Sequence, residues 1–128
     1  MRLPRFDAFC AGEVHILTLK LYRNQKSVRS IKNLASPALT TDLFVHAGMR
    51  PDVPLEQQSA RDLLWIRDEF LDDTKEFEHI VVHGHTPAEG VFRDNRRIGL
   101  DTGAFISGRL SAAKLFKTDV SFLETSPV

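Results

Sequence analysis

Leu43-Phe44-Val45-His46-Ala47-Gly48 and Ile80-Val81-Val82-His83-Gly84-His85-Thr86-Pro87 decide how this sequence is read. In each, a short apolar run gives way to histidine and glycine. Such a run, bounded by turn residues, is the pattern of a strand buried on both faces. The glycine marks the exit into a loop. In α/β sheets the loops at the carboxyl ends of strands are where ligands meet the protein. Both histidine–glycine stretches are therefore expected at such ends.

The segments around these runs complete the pattern. Arg50-Pro51-Asp52-Val53-Pro54 has two prolines within four residues, which excludes regular structure. Ser59-Ala60-Arg61-Asp62 resembles a capping box with Asp in place of Glu or Gln, and predicts a helix over 60–71. Downstream, 96–100 leads into Asp101-Thr102-Gly103-Ala104, and two late strands are predicted over 110–116 and 120–123, joined by Lys117-Thr118-Asp119. Upstream, 14–22 alternates over part of its length like a half-buried strand, 23–32 reads as a loop or frayed helix, and Ser36-Pro37 as a turn or linker. There is no internal repeat. The order of elements predicts an α/β core sheet with antiparallel late strands.

Composition narrows the classes. The chain has 128 residues, one domain's worth, with 42% hydrophobic and 27% charged side chains, which excludes wholesale disorder, collagen and low-complexity tracts. No apolar run approaches the roughly 18–20 residues that span a bilayer. The first residues lack a secretory signal pattern, and the single cysteine, Cys10, excludes an intramolecular disulfide and any multi-cysteine zinc site. These features lead us to expect a cytoplasmic protein without a membrane partner. The formal net charge of zero is a cancellation: residues 1–41 carry seven basic and two acidic side chains, net +5, and 42–128 carry net −5. The composition changes at Thr41-Asp42.

Four features carry candidate chemistry. His46 and His85 each follow an apolar strand beside glycine. Two imidazoles at neighbouring strand ends suit a metal ion; a hydrogen-bonded histidine at a strand end is the plainer reading. On a helical wheel with Leu63 at the origin, Ile66, Phe70, Leu64 and Leu71 form the apolar arc, and Arg67 falls at about 40°, inside it. A guanidinium there is expected to grip an anion such as phosphate, or to pair with a buried acid. Asp101, at a strand end beside Gly103, could hold a ligand histidine in its tautomer or simply cap a turn. The basic segment 1–41 lacks a nucleic-acid-binding motif and reads better as a solvated extension than as a nucleic-acid surface. Trp65 lies opposite the apolar arc, and Glu69 with Asp72-Asp73 reads as a solvated acidic face.

These residues resemble a known family. Phe44-Val45-His46-Ala47-Gly48 with Arg50-Pro51, then Asp62-Leu63-Leu64-Trp65-Ile66-Arg67, Val81-Val82-His83-Gly84-His85-Thr86-Pro87 and Asn95 to Ala104 are similar to four motifs, in order, of the calcineurin-like metallophosphoesterases. The branch of bacterial serine/threonine protein phosphatases and symmetrical diadenosine tetraphosphatases is the nearest. The resemblance covers about residues 42–125, the C-terminal part of that catalytic domain. It implies a β-sandwich flanked by helices. It further implies a binuclear centre of divalent ions (Mn, or Fe/Zn) that activates water for attack on phosphorus. By the same resemblance His46 and His85 are ligands of the second metal and Arg67 grips the phosphoryl group. His83 and Asp101 are supporting residues. Phosphorylated proteins and small phosphoesters, dinucleoside polyphosphates among them, are the substrates implied.

The remaining motifs of that family, Asp-x-His, Gly-Asp-x-x-Asp-Arg-Gly and Gly-Asn-His-Glu, supply the first metal's ligands and the acid histidine, and have no counterpart here. Gly12-Glu13-Val14-His15 only echoes the first. We therefore divide the chain into an atypical basic segment, 1–41, expected to be a frameshifted, misassigned or rearranged start, and a C-terminal phosphoesterase part, 42–128. The expected function is metal-dependent phosphoester hydrolysis. The alternative is a non-catalytic remnant that binds at most one metal weakly and self-associates through an exposed sheet edge.

Overall fold

The two apolar runs lie side by side as parallel strands. The computed structural model describes residues 15–17, 29–31, 42–116 and 119–126. In chain order the strands are β1 (His15–Leu17), β2 (Arg29–Ile31), β3 (Asp42–Phe44), β4 (Ile80–His83), β5 (Phe92–Arg93), β6 (Arg97–Gly99), β7 (Ser111–Phe116) and β8 (Asp119–Glu124). A five-stranded sheet has the order β2-β3-β4-β6-β5, and a three-stranded sheet the order β1-β7-β8. The central pairs β3–β4 and β4–β6 are parallel, with Leu43 opposite Val81 and Val82 opposite Ile98; β2 and β5 flank them antiparallel. The chain is thus a mixed α/β fold, as the sequence predicts, and its late pair β7–β8 is antiparallel. Two short segments of the basic N-terminal stretch, 15–17 and 29–31, contribute one strand to each sheet.

Alternation along the central strands sorts the core into two layers. Leu43, Val45 and Val81 point to one side and meet Met49, Ile66 and Phe70 beneath the helices. Phe44, Val82 and Ile98 point to the other and meet Ala113 and Leu115 of β7. Leu43, Phe70, Val81 and Val82 are fully buried, and each contributes about 1.5–3 kcal/mol on leaving water. The result is three layers: helices, five-stranded sheet, three-stranded sheet. Among the described residues no helix is long and apolar enough to cross a membrane.

The helix expected over 60–71 is two helices, α1 (Ala60–Trp65) and α2 (Asp68–Leu71). The break has a tertiary cause. In an unbroken helix the Arg67 N–H would donate to the Leu63 carbonyl. That carbonyl instead accepts the N–H of Ala47 at 2.9 Å. Ile66 turns extended (ψ 145°), and Arg67 takes φ −132°, ψ −102°. The wheel placement of Arg67 is corrected accordingly: its side chain leaves the apolar arc and is exposed, while Ile66 and Phe70 stay buried. The cap itself forms as expected, with Ser59 Oγ accepting the Asp62 N–H at 3.0 Å. The Asp62 carboxylate accepts the Ser59 hydroxyl and a two-pronged bond from Arg50, which holds it below the usual carboxylate range.

Other expectations are corrected or extended. The segment 23–32, read as loop or frayed helix, contains β2 at its end; residues 23–28 and 32, with Ser36-Pro37, lie outside the described residues, as does 18–22 of the first predicted strand. The short strand β5 and a third helix, α3 (Ala104–Ser107), were not expected. After the proline-rich loop, a 3-10 turn spans Leu55–Gln57. Gln58 clamps that loop, donating to the carbonyls of Arg50 and Val53 and accepting the Arg50 N–H.

Candidate functional site

Three backbone bonds bring the loops after β3, β4 and β6 together. Gly84 N–H donates to the His46 carbonyl, Leu100 N–H to the His83 carbonyl, and Ala88 N–H to the Asp101 carbonyl, each at 2.9 Å. These extend the ladder beyond the strands, at their carboxyl ends. His46 and His85 therefore meet, with ring centroids 4.8 Å apart. His46 Nδ1 and His85 Nε2 are buried and have no hydrogen-bond partner among the described residues. Such atoms are few in folded proteins and point to strain, function or a bound ion. His85 also has φ +71°. A left-handed backbone at a residue other than glycine costs about 1–2 kcal/mol, and such strain clusters at functional sites.

Burial shifts both rings toward the neutral form. Burial lowers the pKa of His46, opposed by the negative charge of Asp101. Burial also lowers that of His85, followed by the positive charges of Arg67 and His46, with Asp101 again opposing. A neutral imidazole offers a lone pair, which a metal ion needs.

The other residues fall into place around this pair. Arg67, exposed, donates through Nη1 to Thr86 Oγ1 at 3.4 Å, and makes no ion pair among the described residues. The buried-acid partner is thus not found there. Trp65 stands 65% exposed with its ring edge-on to His85, centroids 5.5 Å apart. Asp101 Oδ1 accepts the Gly103 N–H at 2.9 Å, which is the turn-capping role, while its charge is felt at His46, His83 and His85.

His83 is turned away from the pair. It is 2% exposed and packs edge-on to Phe70, on the helix side of the sheet. Arg97 Nη1 lies 3.2 Å from His83 Nε2, and His83 Nδ1 lies 3.2 Å from the Gly84 carbonyl. A guanidinium only donates, so Nε2 accepts and the ring proton sits on Nδ1. Burial is the main cause that lowers its pKa, to about 4. Arg97, whose Nε is also without a hydrogen-bond partner among the described residues, lies over the Phe92 ring at 4.0 Å. The sequence reading assigned no role to Arg97, Trp65 or Thr86. For Arg97 the parallel register explains the contact: it sets Arg97 two residues before Gly99, the partner of His83, and so on the same face of the sheet.

Among the described residues no group of three or more His, Cys, Asp and Glu side chains is placed to hold a metal ion. The two buried imidazole nitrogens are nevertheless donor atoms of the type that transition metals take. No protein-family model matches the chain, and no curated protein matches it. Among solved structures, a protein provisionally described as a diadenosine tetraphosphatase is similar, with a TM-score of 0.48 and 24% identity, over 63% of this chain and 45% of that one. The chain spans less than half the length of that protein.

Proposed function

We propose that this chain is the metal- and phosphate-binding part of a metal-dependent phosphoesterase, with His46 and His85 as ligands of one divalent cation and Arg67 as the phosphoryl-binding residue. The observation that carries the reading is the pair of buried, unpartnered nitrogens on rings 4.8 Å apart. A divalent ion of the Mn, Fe or Zn type would supply an activated water and neutralise charge developing on phosphorus. The chain's own residues do the rest. The backbone bond from Gly84 to His46 fixes the spacing of the two imidazoles. Arg67, released from the helix, offers two parallel N–H groups to phosphoryl oxygens. Thr86 steadies it through one hydrogen bond. Asp101 keeps the loop after β6 turned toward the histidines, and His83 supports β4 from within. Phosphorylated proteins and small phosphoesters are the substrates this arrangement suits.

A second reading has its own support. A tight metal site usually takes three or four protein ligands. The described residues present only two together. On that reading the chain binds one metal weakly and does not catalyse.

One experiment separates the two. Mn²⁺ binding and p-nitrophenyl phosphate hydrolysis are measured for the native chain, His46→Ala, His85→Ala and Arg67→Ala. We expect both histidine substitutions to weaken Mn²⁺ binding at least tenfold, and Arg67→Ala to spare it. Hydrolysis abolished by either histidine substitution establishes the enzyme. Mn²⁺ bound without hydrolysis establishes the remnant. No Mn²⁺ binding, or binding indifferent to both histidines, removes the proposal.

A further inference from the structure

Among the described residues Trp65 is a large apolar side chain left outside the core. It belongs to neither apolar cluster, and 65% of it faces solvent although an indole is the largest apolar side chain. Its ring contact among the described residues is with His85. Arg67, two residues after Trp65, is held at Thr86, next to His85 in sequence, and its charge is felt at the His85 ring. An exposed aromatic ring and an exposed guanidinium thus both lie near one imidazole. A phosphoryl group gripped by Arg67 beside His85 would have the indole within reach of its ester substituent, the indole centroid being 5.5 Å from the imidazole's.

We infer that Trp65 is a specificity-determining residue, a stacking surface that selects phosphoesters whose leaving group or substituent is a planar ring, such as an aryl group or a nucleobase. The inference rests on the phosphate-binding reading above and names the substrate class of that site. Stacking on an aromatic side chain is worth about a tenfold or greater gain in affinity per ring, and it is indifferent to which ring is offered. A substituent without a ring gains little from the same surface.

The chain's single tryptophan makes the test direct, because all indole fluorescence comes from Trp65. The native chain, with Mn²⁺ added, is titrated with phenyl phosphate and with methyl phosphate, and affinities are measured by calorimetry alongside fluorescence. Phenyl phosphate is expected to bind about tenfold tighter than methyl phosphate and to quench Trp65. In Trp65→Ala the ratio of the two affinities should fall close to one, and in Trp65→Phe it should be largely restored. Equal affinities in the native chain overturn the ring inference and leave the phosphate reading standing. A ratio that survives Trp65→Ala overturns it as well. Failure of both phosphates to bind, with Arg67→Ala making no difference, overturns the phosphate reading and the inference together.

Discussion

Gly48 ends the turn that presents His46, and it does so at φ +155°, with a Cβ built there overlapping the ring carbons of Phe70. Phe70 is fully buried and has no room to withdraw. Gly48→Ala is therefore expected to destabilise the fold by about 3 kcal/mol, from overpacking and backbone strain acting together. Urea unfolding checks it, and a loss below half a kilocalorie would show that the Phe70 ring can move aside. The same scale shows what the residue types could and could not reveal. That His46 and His85 come together was legible, because each sits where a buried strand must end. That His83 is the one facing the core was also within reach, since alternation along β4 puts it on the side of Val81. The strained backbone of His85 was not legible, because nothing in Gly84-His85-Thr86 demands φ > 0 at the histidine.

At the scale of elements, helix ends govern the arrangement. The short helix α2 leaves carbonyls at its carboxyl end without helical partners. Arg96 supplies them, donating to the carbonyls of Phe70 (3.3 Å) and Lys75 (2.6 Å) and to Asp73 (3.3 Å), with its guanidinium over the Phe77 ring at 5.1 Å. It is 4% exposed. Arg96→Ala leaves the buried Phe70 carbonyl and the part-buried Lys75 carbonyl and Asp73 carboxylate without this donor and should cost about 3 kcal/mol. Thermal unfolding measures it; an effect within experimental error would mean water replaces the guanidinium without penalty. The break between α1 and α2 belongs to this scale too. Leu63-Leu64-Trp65-Ile66-Arg67 contains no proline or glycine, so helix periodicity ran straight through it. The competitor for Leu63's carbonyl is Ala47, sixteen residues earlier, and no local pattern announces a distant donor. β2 and β5 escaped for a related reason: short strands with polar residues draw their definition from the neighbour they pair with.

For the whole molecule, the sandwich follows from apolar runs that need cover on both faces, and this much was written in Leu43 to Val45 and Ile80 to Val82. Its stability should depend on acid. His83 keeps its neutral form in the folded chain down to about pH 4, beside Arg97 and with Asp94 and Asp101 pulling the other way, whereas its ordinary pKa is 6.5. The unfolded chain therefore binds the extra proton first as pH falls. Stability fully present above pH 6.5 is lost progressively toward pH 4, by about 3 kcal/mol from this group. Burial lowers the pKa of His46 and His85, which adds to the loss in the same direction. Unfolding free energies measured at pH 7.5 and 4.5 should differ accordingly, with a shallower dependence in His83→Asn; equal values would contradict a neutral, buried His83. The parallel arrangement of β3, β4 and β6 has one more consequence. The loops at their carboxyl ends carry His46, His85 and Asp101, while Arg96 and its anchored carbonyls secure the opposite end. The proposed site and its scaffold thus occupy separate poles, so mutational drift at residues 85–88 would reshape the proposed binding loop while the distant anchor preserves the fold.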